Sequence, residues 1–482
     1  MNLFQNFFSL RKEANDISKL AYPLAITQIA QVAIIVTNVL MMGLLETKSL
    51  AAGGLAITIF SLLRAFGNGV ISCISNLIAY ESGRQTCSED IGNITKAGFI
   101  IALILGLIFY LISWFIKPLL IWTGQDSTII PLTTEYLHIS LIGMVPCLWF
   151  LVLRNFTVGL HRPGKLMIFT LISVVLNILF NFIFMFGYFG FPKLGLMGIA
   201  WSSNLVFVCS FLMFAISLAK NPTYASYKLF HRIIICPFKN LLDVCKTGLP
   251  NGITYASESG FFTVIALLMG KLGPTALATN TIVTQCIYIT YMLSVAISHA
   301  TSMYIGKAYG ANDYYSIRRY AYTALIIGFI CMGTAGIIFW LFNYQIIYLF
   351  IGKESSLNSG IFALGTQLLC VAAIFQIFDG WQNISLGILR GFKAMHKSMF
   401  ISLFGYWVIG LSLAYLLGFH LQQGAIGIWR GLACGLAVTA VLYIISFEII
   451  YRTRYRSFTI NQKINAAEDN TNNISVILPS AG

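Results

Sequence analysis

The chain has 482 residues, of which 58% are hydrophobic and only 10% charged, and its mean hydropathy is +0.81. Soluble domains carry about 25% charged residues, so no water-soluble packing covers this much apolar surface and a bilayer is the natural solvent. The net charge of +14 would suggest a nucleic-acid partner in a soluble protein, but the cations gather in alternate inter-span loops instead of on one face or tail, which excludes that class.

Residues 1–19 form a short segment without the brief apolar stretch and small-residue cleavage site of a signal peptide. Arg11, Lys12 and Lys19 precede a full-length first span, which predicts an uncleaved helix with a cytoplasmic start. Apolar runs between polar breaks then predict twelve spans, near 20–43, 50–79, 97–119, 134–158, 165–190, 196–219, 246–270, 275–306, 320–350, 361–387, 397–419 and 425–451. Runs longer than about twenty residues fit tilted or projecting helices.

The loop charges test that count. Arg84, Arg162, Lys165, Lys228, Arg232, Lys239, Arg318, Arg319, Arg390, Lys393, Lys397, Arg452, Arg454 and Arg456 fall in alternate loops and the tail. The opposite loops hold only Lys48, Lys117, Lys193, Lys271, Lys353 and Arg430. An even number of spans with both termini cytoplasmic satisfies the excess of cations on cytoplasmic loops; an odd number scrambles it. The expected fold is therefore an all-α polytopic membrane protein. Spans 1–6 form an N-lobe (20–219), the basic stretch 220–245 with Pro222 and Pro237 is a cytoplasmic linker, and spans 7–12 form a C-lobe (246–451). Residues 452–482 read as a cytoplasmic tail, unstructured beyond Arg456 where Asn470, Asn472 and Asn473 make it polar.

The halves repeat each other. KLAYPLAITQIAQVAIIVTNVLMMGLLETKSLA from Lys19 aligns without a gap to KTGLPNGITYASESGFFTVIALLMGKLGPTALA from Lys246. Pro23 falls on Pro250, Thr27 on Thr254, Met42–Gly43 on Met269–Gly270, and in the same register Gly83 on Gly310. GLMGIAW from Gly195 echoes GAIGIW from Gly424. Six spans per repeat is an even number, so the repeats run parallel, and proteins of this build hold substrate between lobes near the midplane.

Charges inside spans cost at least about 2.5–3.5 kcal/mol each, so each needs a reason. Three lie deep: Arg64 in span 2, Glu258 in span 7 and Asp379 in span 10. Arg154 lies near a cytoplasmic span end, where it can snorkel. Glu258 shares its helix face with Tyr255 and Phe262 and adjoins Ser259; a proton or a bound cation can each neutralise it, whereas a structural carboxyl would only pin backbone. Gln376, Asp379 and Asn383 form a polar stripe on a helix that also carries Phe375, Phe378 and Trp381. A carboxylate among rings suits a lipophilic cation, and the alternative is an interhelical packing network.

In span 1, Gln28, Gln31 and Asn38 form a similar stripe, and Gln31 aligns with Glu258; cleft lining and plain interhelical hydrogen bonding are equally open readings. Arg64, with Asn68 one turn on, is read first as the structural partner of a carboxylate. Pro23, Pro146 and Pro250 should kink their helices. His138 and His299 read as core residues, and the ten scattered Cys as small packing residues without CxxC or metal spacing. The sequence carries no Ser/His/Asp order, HExxH, CxxC or phosphate loop, and the segments outside the spans are too short for an ATPase, so the reading is a transporter driven by an ion gradient, not an enzyme, with no cofactor.

At LAYPLAITQ, MMGLLETKSLAAGGL, GLPNGITYASESGFF, ALLMGKLGPTALATN, YIGKAYGANDYYSIRR and FQIFDGWQNISLGILRGF, the chain resembles the multidrug and toxin extrusion family of the multidrug/oligosaccharidyl-lipid/polysaccharide flippase superfamily, from about residue 13 to 455. That resemblance implies a two-lobed antiporter that exports small organic cations for sodium ions or protons. It also implies that Glu258 and Asp379 hold the coupling cation, sodium included if sodium drives it. Many bacterial family members carry an Asp in span 1 where this chain has Asn38. Asn cannot titrate, so coupling is expected in the C-lobe.

Two rivals stand beside this reading. A lipid-linked saccharide flippase would need a basic cleft for pyrophosphate, and an intramembrane enzyme would need a nucleophile–base or metal constellation. The expected setting is a bacterial inner membrane and the expected unit a monomer.

Overall fold

The computed structural model describes residues 3–45, 47–122, 127–231, 236–352 and 359–477, with side chains for residues 11–460 of these except Thr47. Arg232, Lys353 and residues 478–482 lie outside the described residues. Among the described residues eleven helices are long and apolar enough to cross a membrane, and one bent pair supplies a twelfth span.

The N-lobe comprises α1 (Leu3–Gly43), α2 (Thr47–Gly83), α3 (Ser88–Ser113), the bent α4 (Ile130–Ile142 and Met144–Gly159), α5 (Leu166–Phe186) and α6 (Leu196–Ala219). The C-lobe comprises α7 (Phe238–Lys271), α8 (Pro274–Gly310), α9 (Tyr314–Leu341), α10 (Ser359–Gly391), α11 (Met395–His420, with π-helical turns) and α12 (Gly424–Ile477). The two lobes are parallel six-helix repeats about a central cleft.

Sequence features account for the local departures. α4 bends by 42° at Gly143, three residues before Pro146, whose ring lacks an N–H and crowds the carbonyl one turn back. Pro23 and Pro250 lie inside continuous helices, and the Pro23 and Pro250 carbonyls accept the hydroxyls of Thr27 (2.8 Å) and Thr254 (3.0 Å), so the repeat extends to these bonds.

Three boundaries differ from the sequence expectation. Predicted span 9 ends at Leu341 and a separate helix follows at Asn343–Ile351; the Asn343 amide donates to the Trp340 carbonyl at 2.7 Å and closes the first helix. Predicted span 3 likewise ends at Ser113, before a short helix Ile116–Trp122 that carries Pro118. Both repeats thus place a short helix after their third span. The polar tail, expected to be unstructured, continues α12 to Ile477, because no Gly or Pro follows Gly435 until Pro479 and an existing helix extends at one hydrogen bond per residue.

The lobes meet mainly through α2 against α7 and α8 and through α1 against α8 and α9. A Cβ on Gly83 would collide with the Lys307 carbonyl, and one on Gly310 with the Tyr80 carbonyl. The repeat-paired glycines therefore let α2 and α8 cross backbone to backbone. The seal continues with Ser302 Oγ donating to Asn76 Oδ1 (2.7 Å) and with Asn251 Nδ2 donating to the Gly69 carbonyl (2.6 Å) and Ser72 Oγ (2.7 Å). Arg319 pairs with Glu13 at 2.6 Å, and Tyr320 donates to Asp16 at 3.1 Å. All these contacts lie in the half of the molecule nearer the two termini.

Candidate functional site

Beyond that seal, away from the termini, the lobes part around a cavity of about 680 Å³. Of the residues singled out from sequence, Gln28, Gln31, Arg64, Tyr255, Glu258, Ser259, Phe262 and Asp379 line it. Phe150, Phe207, Tyr288 and Tyr291 add aromatic wall. The volume is that of a drug-sized site, and the composition is largely apolar with a few polar groups on each side.

The two acids sit on the C-lobe wall. Glu258 reaches it because α7 turns Tyr255, Glu258, Ser259 and Phe262 to one side, and it is only 7% exposed. Tyr291 of α8 donates its hydroxyl to Glu258 Oε1 at 3.2 Å. Asp379 on α10 is 1% exposed, and its Oδ1 has no hydrogen-bond partner among the described residues. An unpaired carboxylate oxygen in a buried position is expensive unless a proton or a cation neutralises it.

Four candidates do not line the cavity, three of them behind the C-lobe wall and one inside the N-lobe. Gln376 accepts from Thr290 at 3.0 Å and donates to the Met332 carbonyl at 3.2 Å, which ties α10 to α8 and α9. The Asn383 carbonyl accepts the Ser298 hydroxyl at 2.6 Å, and its side chain lies beside Tyr291. Phe375 backs Phe262, ring centroids 6.5 Å apart, and Trp429 at 5.6 Å. Asn38 is buried inside the N-lobe: its Oδ1 accepts from Asn177 (3.1 Å) and Asn181 (2.9 Å), and its Nδ2 donates to Ser203 (2.9 Å). The span 1 stripe therefore divides, with Gln28 and Gln31 on the cleft and Asn38 in a neutral amide network.

Three expectations about arginine change. Arg64 makes no ion pair among the described residues and faces the cavity, so a structural carboxylate partner is not what holds it. Arg154 does not snorkel; it is 5% exposed, because α4 turns it toward the lobe interface. Arg390, read from sequence as a loop cation, is 4% exposed. It donates to the Tyr255 hydroxyl at 3.2 Å, and its guanidinium lies 4.7 Å from that ring's centre, within electrostatic reach of Glu258. Tyr291 was missed because a neutral residue in an aromatic stretch gives no signal.

A buried acid pair on one wall of a cavity between two repeated six-helix lobes defines an integral membrane transporter with a central cleft. The MatE family model matches residues 23–183 and 250–416, one stretch per lobe. The chain belongs to this multidrug and toxin extrusion (MATE) family. It is 35% identical over 438 residues to a Pseudomonas aeruginosa protein named probable multidrug resistance protein NorM, covering 90% of this chain and 89% of that one. Among solved structures, one described as the outward-facing conformation of a multidrug resistance MATE family transporter superposes with a TM-score of 0.82 at 22% identity, covering 92% and 96% of the two chains. The eukaryotic MATE transporter AtDTX14 gives 0.80 at 18% identity, covering 93% and 99%. At those identities the structures establish the common fold.

Proposed function

We propose that the protein exports small organic cations and drugs across a bacterial inner membrane, in exchange for sodium ions or protons, with both termini cytoplasmic. The observation that carries this reading is the placement of Glu258 and Asp379, both buried and one with a bare oxygen, on a single wall of an aromatic cavity. The curated relative's name supports multidrug export. The basic loops support the orientation, which makes the sealed half the cytoplasmic one and this state outward-facing.

In the outward-facing state an external cation reaches Glu258 and Asp379 and displaces the drug. A proton would neutralise a carboxylate; sodium would draw on oxygens of Glu258, Asp379 and the Tyr291 hydroxyl. With the acids neutralised, the lobes rock, the seal opens inward, the ion leaves and a new organic cation takes its place. A one-for-one exchange of monovalent cations draws on the ion's concentration gradient, and each net charge moved inward adds about 2.3 kcal/mol per 100 mV, enough for roughly a 50-fold gradient. One chain supplies both lobes and the whole cleft, so a monomer is the working unit. Among the described residues the cavity lining carries Arg64 but no basic cluster that would suit a lipid pyrophosphate.

The test is ethidium or norfloxacin efflux from liposomes under imposed sodium or pH gradients. Glu258→Gln and Asp379→Asn should abolish gradient-driven efflux while the protein still inserts. Full efflux in both variants overturns the reading.

A further inference from the structure

The register that pairs Lys19 with Lys246 and Gly83 with Gly310 also pairs Gln31 with Glu258 and Arg64 with Tyr291. All four of these cleft residues line the same cavity. The repeated helices α1–α2 and α7–α8 therefore present equivalent positions to one space with inverted chemistry. On the C-lobe wall, a hydroxyl donates to a carboxylate. At the matching place in the N-lobe stand a neutral amide and a guanidinium.

Arg64 sits at the middle of α2, half-buried, with no carboxylate in ion-pair range among the described residues. A guanidinium has five donors and no acceptor, and it matches a carboxylate through two parallel hydrogen bonds. Asn68, one turn along the same face, and Gln31 on α1 bring amide donors to the same wall. Its neighbours include the neutral Cys147 thiol and Tyr288 phenol, and a charge held at mid-membrane depth with no carboxylate partner among the described residues points to a ligand site.

We propose that Arg64, flanked by Gln31 and Asn68, is an anion subsite opposite the acids. The cleft then selects dipolar molecules that carry a carboxylate as well as a cationic nitrogen. The carboxylate lies on Arg64, the cationic end faces Glu258 and Asp379, and the aromatic rings lie against Phe207 and Phe262. A monovalent cation without the carboxylate fills only the second subsite. The cationic half of this scheme rests on the cation-export reading; the Arg64 half stands on its own geometry.

The test uses one fluorophore in two charge states, rhodamine B, whose free carboxylate makes it a zwitterion, and rhodamine B ethyl ester, a plain cation. Binding to the purified protein in detergent is read by fluorescence polarisation. In Arg64→Gln the ratio of zwitterion affinity to ester affinity should fall about tenfold or more, the range for a hydrogen bond to a charged group. Arg64→Lys should keep most of the ratio. An unchanged ratio in Arg64→Gln, or loss of both compounds alike, overturns the proposal. Glu258→Gln, measured in parallel, should weaken the ester. If it does not, the cation-export wall is wrong while the Arg64 ratio is still decided.

Discussion

The Tyr291 hydroxyl donates to Glu258 Oε1 at 3.2 Å and so links α8 to the acid of α7 at the cavity wall. A hydrogen bond to a charged acceptor contributes about 1.5–3 kcal/mol. With sodium as the coupling ion, Tyr291→Phe removes both the donor and a nearby oxygen. Half-saturating sodium for ethidium efflux should then rise about tenfold or more, while the maximal rate changes little. An unshifted sodium dependence would remove Tyr291 from the ion site.

Asn38 makes a different prediction, because it serves three partners and no substrate. Its Oδ1 takes the amides of Asn177 and Asn181, and its Nδ2 gives to Ser203. Asn38→Ala strands two buried amides and a hydroxyl, at about 1–3 kcal/mol for each unsatisfied group. Thermal unfolding in detergent should move down by several degrees, with the ion dependence of efflux intact. A variant with unchanged stability and altered coupling would place Asn38 in the transport chemistry after all.

These cases mark what the sequence could carry. Glu258 and Asp379 were legible because a carboxylate in an apolar run has few innocent explanations, and the lobes because Pro23/Pro250 and Gly83/Gly310 repeat in one register. Distance along a helix is readable from sequence; direction around it is readable only where polar residues share a stripe. Arg154 and Arg390 stand alone near span ends, so their inward turn left no trace. Tyr291 is one aromatic among several on α8. The break between α9 and the helix at Asn343 has apolar residues on both sides, so hydropathy runs through it.

The pair Glu13–Arg319 offers a handle on the conformational equilibrium. At 2.6 Å it ties α1 to α9 across the lobes, with the Glu13 side chain 6% exposed. Removing one partner of a buried pair costs about 3–5 kcal/mol, much of it from the stranded charge. Arg319→Ala should therefore favour the state in which this seal is open. Cys73 reports it: the thiol is buried at the α2–α7 contact and donates to the Val244 carbonyl at 3.6 Å. In a variant retaining only Cys73, N-ethylmaleimide labelling should accelerate about tenfold or more with Arg319→Ala, as about 1.4 kcal/mol suffices for that factor. Adding Glu13→Gln, which removes the stranded charge, should restore much of the protection. Equal labelling in all three would mean the pair does not hold the seal.

His161 gives the folded chain's stability a pH dependence whose sign can be worked out. It lies in the turn between α4 and α5 at φ +58°, with its ring centre 4.7 Å from that of Tyr304 on α8. Burial, and then the positive charge of Lys307, pull its pKa down from 6.5 to about 4. Above pH 6.5 the ring is neutral in the folded and unfolded chain alike, and titration changes nothing. Between 6.5 and 4 the unfolded chain takes up a proton that the folded one refuses, so stability falls as pH falls, by up to about 3 kcal/mol. His161→Asn keeps a residue that tolerates positive φ and removes the titration. Unfolding temperatures in detergent from pH 7 to pH 4 should decline less steeply in the variant than in the wild type. Parallel declines would show that acid acts on the protein elsewhere than at His161.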